Sequence, residues 1–288
     1  MHARSLVAAV CVATLAGALA ADAGARAPAK AAADIARPVP LPADTLKRLR
    51  SGDPAAVKAA LDDVRTSAKA GAPAAPVVAE LLEQGLAPSL ALAAIETLGD
   101  TEAESGSTAL SWYARHRNVE LRRAAVTALA RSRGPEAVRA LRAALSDPDA
   151  GVRGLAATGL GSMHAKDAVA DLFAALDHRV AEAAASIGQL CSGAECERLA
   201  GKLGAVAFDV VTSGLDQVLF RPAADVSDDV KIKIVGRVRE LGTGEANRFL
   251  KDVQGKWPKA WSQRVKQSID QAVLATSGSP GTGGGGAQ

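Results

Sequence analysis

The chain has 288 residues, of which 48% are hydrophobic and 3% are aromatic. A sizeable core of small aliphatic side chains is therefore possible, stabilised by many modest contacts worth about 25 cal/mol per Å² of buried apolar surface. The formal charge is +3 at pH 7, which is too small to argue for nucleic-acid or membrane binding through net charge.

Residues 1–20 have the three-part pattern of a secretory signal peptide. A weakly basic start precedes an uncharged apolar stretch over 6–19, and Ala18 and Ala20 are the small residues that a signal peptidase reads. The apolar stretch is shorter than the roughly 20 residues that a membrane-spanning helix needs. An uncleaved anchor or an N-terminal core helix is the alternative. We predict an exported protein, periplasmic or extracellular, cleaved after Ala20 and without a membrane span thereafter.

The two ends of the mature chain differ in composition from its middle. Residues 21–43 are rich in Ala and Pro and are predicted to form a flexible or partly extended linker. Residues 277–288 are rich in Gly and are predicted to be disordered. Over residues 44–276, apolar residues recur at spacings of three and four between Gly, Pro, Asp and Ser. This pattern predicts one helix after another.

A repeat of 31 residues lies in the middle of this region. Residues 121–129 match 152–160, each with an apolar residue and Arg at the start, Ala in the middle and Leu at the end. Residues 137–145 match 168–176 at the same offset. Each unit is therefore predicted to be a helical hairpin of about 30 residues, which buries its apolar stripe only by stacking on its neighbours.

The pattern extends in both directions from these units. Upstream, residues 90–98 fall in register at the same offset, and the first helix is predicted to begin at Asp53-Pro54. Downstream, the offset shortens to 27 residues over 183–203. Weaker copies end near Gly214 and run over 230–242, which we pair with 246–253 as one hairpin.

Small residues recur at fixed places in the units. Ala125, Ala156 and Ala183 are predicted to lie where neighbouring helices press closest. Gly161 and Gly188 are predicted to end their helices in a left-handed turn, a conformation that Gly adopts without a steric penalty.

The run LSDPDAGVRGLAATGLG over residues 145–161, followed by 168–176, resembles a HEAT repeat. The similarity is greatest to the short form found in phycobilin lyases and in many bacterial scaffold proteins. It implies an all-α solenoid of stacked antiparallel helical hairpins. It also implies that the second helix of each hairpin lines the concave side.

Cleavage after Ala20 would leave two cysteines, Cys191 and Cys196. An even number of cysteines in an exported chain indicates a disulfide, and the Gly between them allows the necessary bend. Two separate buried thiols are the alternative. A zinc site is not expected, because no further His or Cys lies nearby in the sequence.

The sequence contains no recognisable catalytic motif. It has no His-Glu-x-x-His, no Gly-x-Ser-x-Gly and no phosphate-binding loop. His116, His164 and His178 fall near predicted helix ends, where a histidine usually contacts carbonyl groups or solvent. We therefore predict a protein that is not an enzyme and that has no cofactor or metal.

Three arginines are candidate binding residues. Arg122 and Arg153 occupy equivalent positions and could present a row of guanidinium groups to a carboxylate or phosphate. The alternative, which we favour, is a structural ladder in which each Arg bonds an acidic residue such as Asp147 or Asp149, or a carbonyl group, at the neighbouring turn. The repeat counterpart of Arg123 is Gly154, so Arg123 is the better candidate for contact with a partner, although a plain solvated side chain is the favoured alternative.

Basic residues concentrate in two segments, 115–142 and 231–266, which are either binding patches or solvated helix faces. Trp257 and Trp261 lie in the second segment at a spacing that would place them on one helix face. They either close the end of the core or form an exposed binding spot. Trp112 and Tyr113 are expected to pack internally.

The repeat, the signal and the lack of a catalytic set favour a non-catalytic exported scaffold that binds a protein partner through its concave face. A tetrapyrrole lyase or an enzyme-associated chaperone is an alternative that rests on the repeat resemblance. A binder of acidic polymers or nucleic acid through the basic helix faces is a further alternative, although the signal peptide argues against nucleic acid.

Overall fold

The computed structural model describes residues 39–132 and 134–277, which contain fifteen α-helices and no named strand. The predicted signal peptide, most of the linker and nearly all of the glycine-rich tail lie outside these residues. A short helix, α1 (Thr45–Leu49), precedes seven helical hairpins. The first helices of the hairpins are α2 (Pro54–Ser67), α4 (Pro88–Thr101), α6 (Val119–Arg131), α8 (Ala150–Ser162), α10 (Glu182–Leu190), α12 (Phe208–Leu219) and α14 (Gly244–Lys256).

The second helices of the hairpins follow in the same order along the chain. They are α3 (Ala75–Gln84), α5 (Ser107–Tyr113), α7 (Pro135–Ala144), α9 (Val169–Asp177), α11 (Gly193–Ala200), α13 (Asp228–Glu240) and α15 (Gln263–Thr276). From α2 to α12, each first helix packs directly on the next one. The second helices form the other layer, in which α5 contacts α3 and α7, and α13 contacts α11 and α15. The predicted all-α solenoid of stacked antiparallel hairpins is confirmed.

The two layers share one apolar core. Leu129, Leu141, Leu160 and Leu172, which occupy matching positions in two successive units, are all fully buried. Ala125, Ala156 and Ala183 are also fully buried, in three consecutive first helices. The repeat spacing therefore reflects one stacked interior, as predicted.

Two glycines have a different role from the one predicted. Gly161 and Gly188 lie inside α8 and α10, and neither has a positive φ. A Cβ atom on Gly188 would lie 2.1 Å from the carbonyl oxygen of Gly214 in α12. One on Gly161 would lie 2.6 Å from Oγ of Ser186 in α10. These glycines are needed because adjacent first helices approach each other closely, and not because the helices turn there.

The array begins as predicted but has an additional helix in front of it. Asp53 accepts hydrogen bonds from the N–H groups of Ala55 (3.1 Å) and Ala56 (3.3 Å) at the start of α2. The preceding helix α1 buries Leu49 against α2 and α3. It was missed because five residues are too few to show a helical period.

The two helices predicted to pair over residues 230–242 and 246–253, α13 and α14, are in contact with each other. Helix α13 packs mainly on α15 and α11 in the second layer, and α14 packs mainly on α15. Helix α13 makes smaller contacts with both of its neighbours along the chain, α12 and α14. Long non-helical connections over 201–207 and 220–227 break the constant repeat offset, so apolar spacing alone could not assign the partners.

Candidate protein-binding surface

Arg122 belongs to a structural ladder. Its Nε and Nη2 atoms donate to the two carboxylate oxygens of Asp147 at 2.8 and 3.0 Å. Its Nη1 donates to the carbonyl oxygens of His116 (3.1 Å) and Arg117 (3.3 Å). The side chains of Arg122 and Asp147 are only 13% and 8% exposed. The guanidinium therefore ties the start of α6 to the links that flank its hairpin.

Arg153 repeats half of this arrangement in the next unit. Its Nη1 donates to the carbonyl oxygens of Asp147 (2.8 Å) and Pro148 (3.1 Å), which are the same relative positions. No carboxylate of the described residues lies within 4.0 Å of it, because His178 stands where the offset of 31 would place another Asp. Backbone carbonyl groups alone anchor Arg153.

Arg123 is paired rather than free. Its Nε and Nη2 atoms donate to the carboxylate of Asp149 at 2.9 and 2.8 Å. Asp149 also accepts from the Val152 N–H at 3.0 Å and so caps α8. The bond from Arg123 and then that from Val152 hold the pKa of Asp149 below its ordinary value. Sequence reasoning missed this pair because Asp149 lies in the link to the next unit.

Trp257 and Trp261 do not share a helix face, because both lie in the connection between α14 and α15. Trp257 is 6% exposed and Trp261 is half-buried. Their rings meet edge-on at 5.4 Å between centroids, and the ring of Phe220 lies 5.9 and 6.3 Å from them. The structure thus places this pair against the end of the core.

A buried lysine lies inside this aromatic cluster. Lys231 is 2% exposed, and its Nζ is 5.6 and 5.0 Å from the ring centroids of Trp257 and Trp261. Nζ also donates to the carbonyl oxygen of Arg221. Burial lowers the pKa of Lys231. The cation is held by aromatic faces and one carbonyl, and it is closed off from a partner.

Cys191 and Cys196 form a disulfide that joins the end of α10 to α11. Both residues are fully buried. The Arg221 guanidinium donates to the Cys191 carbonyl oxygen at 2.7 Å, which connects this hairpin to the end of α12. Among the described residues, no group of three or more His, Cys, Asp or Glu side chains could hold a metal ion.

Ion pairs neutralise much of both basic segments. In the first segment, Arg131 pairs with Asp100 at 2.7 Å and Arg142 with Asp171 at 2.6 Å. The second segment contains the pairs Lys233–Glu197, Arg237–Glu240, Lys256–Asp252, Arg264–Asp229 and Lys266–Asp270. In the described part of the first segment, Arg115 and Arg117 are the arginines without a carboxylate within 4.0 Å.

Trp112 is the exposed aromatic residue near these two arginines, and its expected internal packing is wrong. Its side chain is 55% exposed on α5, whereas Tyr113 is half-buried and its hydroxyl donates to the Leu82 carbonyl oxygen at 3.1 Å. Sequence reasoning missed this exposure, because the equivalent residues are alanines, which occur both in the core and on the surface of this chain. The counterparts of Trp112 at offsets of 31 are Ala143 and Ala174, and both are exposed.

A groove lies beside this face, between the end of α5 and the end of α7. Its volume is about 310 Å³. Arg115, Arg122, Asp147 and Pro148 line it together with three alanines of α7 and the residues Ala114 and Ser146. Trp112, Arg115, Arg117 and this groove are called the Trp112 surface below. It combines an exposed aromatic ring of the second-helix layer, two guanidinium groups without a carboxylate within 4.0 Å, and a small hollow with both alanine and polar side chains in its wall.

Comparison with known proteins supports the repeat architecture. A family model described as HEAT repeats matches residues 75–153 and 106–190, which confirms the resemblance predicted from the sequence. No curated protein matches the chain. None of the helices in residues 39–132 and 134–277 combines the length and apolarity needed to span a bilayer.

Several solved structures are similar at 16% identity, each over 81% of this chain. A chain of the CpcE–CpcF complex of phycocyanin lyase from Nostoc matches over 93% of its own length with a TM-score of 0.42. An engineered protein matches over 67% of its length with a TM-score of 0.46. A designed armadillo repeat protein matches over 98% of its length with a TM-score of 0.39.

Proposed function

We propose that this HEAT-like repeat protein is a non-catalytic exported scaffold that binds a protein partner through the second helices of its hairpins. The observation that carries the proposal is the exposure of Trp112 on that layer. Tryptophan and arginine are enriched among the residues that dominate protein–protein binding energy. An exposed Trp next to unpaired arginines is therefore a favourable centre for an interface.

Three of the other candidate residues are occupied by internal contacts or buried. Arg122 and Arg123 are occupied by Asp147 and Asp149, and Trp257 is buried. A partner that used them would first have to break internal contacts. The Trp112 surface can be bound without such a cost, because its ring and the Arg115 guanidinium already face solvent.

Export is tested by expressing the complete chain in a bacterial host and fractionating the cells. We expect the protein in the exported fraction, with an intact mass that corresponds to a chain beginning at Ala21. A cytoplasmic protein that begins at Met1 would contradict the proposal of export while leaving the binding proposal to its own test.

Partner binding is tested by chemical cross-linking and affinity capture with the mature protein. We expect Trp112→Ala to lose a specific partner that the wild-type chain retains. Leu155→Ala is the matched control, because Leu155 is an exposed apolar residue on the first-helix layer. Recovery of no specific partner, or equal loss of the partner in both variants, would contradict binding through the second helices.

A further inference from the structure

We infer that the Trp112 surface binds an acidic segment of the partner in which carboxylates flank an apolar side chain. This inference rests on the proposed function and specifies the chemistry of the partner. Arg115, Arg117 and the groove beside them carry it, together with the ring of Trp112.

The charge of the surface is unbalanced because two guanidinium groups have no internal counter-ion. Arg131, Arg139 and Arg142 in the same part of the chain each pair with a carboxylate. Arg115 and Arg117 are exposed and have none within 4.0 Å among the described residues. Arginine stays charged at every physiological pH, and its planar donor group matches a carboxylate. A partner with Asp or Glu side chains supplies the missing charge.

The groove accounts for the apolar part of the ligand. Ala140, Ala143 and Ala144 line one side, so no side chain longer than a methyl group fills the hollow there. The Asp147 carboxylate also lines the groove, but it already receives two hydrogen bonds from Arg122, so it does not repel an acidic ligand strongly. An aliphatic or aromatic side chain can enter the hollow while carboxylates reach Arg115 and Arg117.

The composition of the surface favours a protein over nucleic acid. Single-stranded nucleic acid is usually bound by several aromatic side chains that stack successive bases, and duplex DNA by many phosphate contacts. This surface offers one exposed tryptophan, because the equivalent positions on α7 and α9 are Ala143 and Ala174. One aromatic anchor with two arginines fits a short acidic peptide better.

The test is selection from a random twelve-residue peptide library against the mature protein, followed by fluorescence anisotropy with the selected peptides. We expect peptides enriched in Asp and Glu around an apolar residue. Replacing their acidic residues by the corresponding amides should weaken binding about tenfold. Binding should weaken about tenfold or more with Trp112→Ala and several-fold with Arg115→Gln or Arg117→Gln, with a salt dependence that the arginine variants reduce.

Leu274→Ala is the control, because Leu274 is strongly exposed but lies on the distant helix α15. The inference would be overturned if the selected peptides had no acidic excess, or if the Trp112 and arginine variants left their binding unchanged. Either result would still be compatible with a scaffold that binds its partner through another surface. Salt-sensitive binding of duplex DNA that depends on Arg115 and Arg117, with no selected peptide, would also overturn it. If the capture experiment also recovered no specific partner, the proposed function itself would be refuted.

Discussion

The close approach of α10 and α12 predicts that Gly188→Ala destabilises the array. A Cβ at this position would lie 2.1 Å from the Gly214 carbonyl oxygen and 2.8 Å from its carbonyl carbon. Ordinary contacts of a Cβ atom begin near 3.4 Å, so the two helices would have to separate by about 1.3 Å to restore an ordinary contact with the oxygen. Both contact atoms belong to the backbone of a helix, which cannot rotate away as a flexible side chain can.

The expected loss follows from two opposing effects. Overpacking a well-filled core costs about 1–3 kcal/mol and sometimes more, whereas replacing a helical Gly by Ala gains about 1 kcal/mol. The severity of the clash places the cost at or above the upper end of its range, so the free energy of unfolding should fall by about 2 kcal/mol. For a domain of this size, that corresponds to a melting temperature roughly 4–8 °C lower.

Gly236→Ala is the matched control, since Gly236 is inside α13 and a Cβ there would meet no atom within 4 Å. This variant should be more stable by up to about 1 kcal/mol, through helix propensity alone. Urea and thermal unfolding followed by circular dichroism measure both changes. A Gly188→Ala protein that is as stable as the wild type, or that gains as much as the control, would refute the claimed helix contact.

Three further predictions concern the disulfide, the buried lysine and the start of the array. Replacing both Cys191 and Cys196 by Ala should lower the free energy of unfolding by roughly 2 kcal/mol, the chain-entropy value for a six-residue loop. Dithiothreitol should then lower the stability of the wild type and leave that of the variant unchanged. An equal effect of dithiothreitol on both proteins would contradict this. Folding lowers the pKa of Lys231, so over the pH range in which this lysine titrates the unfolded chain binds more protons than the folded chain. The free energy of unfolding of the wild type should therefore rise relative to that of Lys231→Met as the pH increases toward about 10.4. Parallel pH profiles of the two proteins in urea titrations would exclude this. Asp53→Ala should cost about 1 kcal/mol through loss of the α2 cap, measured by thermal unfolding, whereas an unchanged midpoint would show that the cap contributes nothing.

Much of the architecture could be predicted because a repeat makes every apolar position appear more than once. Leu141 and Leu172 are an example: they occupy the same position in two units, which predicted both as core residues, and both are buried in the structure. The repeat did not reveal the exposure of Trp112, because its counterparts Ala143 and Ala174 are alanines, as are the buried Ala125 and Ala156. Internal packing was expected for Trp112 because tryptophan is large and apolar. Helix α5 is too short for its apolar periodicity to indicate which side chains face solvent.

Other features depend on contacts that no local pattern contains. The pairing of Arg123 with Asp149 and that of Arg142 with Asp171 join residues of different units, so the sequence showed the charges without showing which of them cancel. Gly188 was predicted to end its helix because the neighbouring sequence does not distinguish a glycine at a helix terminus from a glycine where two helices cross. The packing of α13 on α11 and α15 depended on the geometry of two irregular connections, for which the apolar spacing contains no information.

The covalently joined α10–α11 hairpin divides the array into two stretches. In a linear array each hairpin contacts only its neighbours, so local melting begins at a free end and spreads inward one unit at a time. The Cys191–Cys196 bond reduces the conformational entropy that this hairpin gains on opening, and Arg221 attaches the next unit to it. We therefore expect fraying that starts at α15 to slow at α10–α11, and amide hydrogens of α6 and α8 to exchange more slowly than those of α13 and α14. A protease entering from the C-terminal end would accordingly leave a resistant fragment that still contains the Trp112 surface.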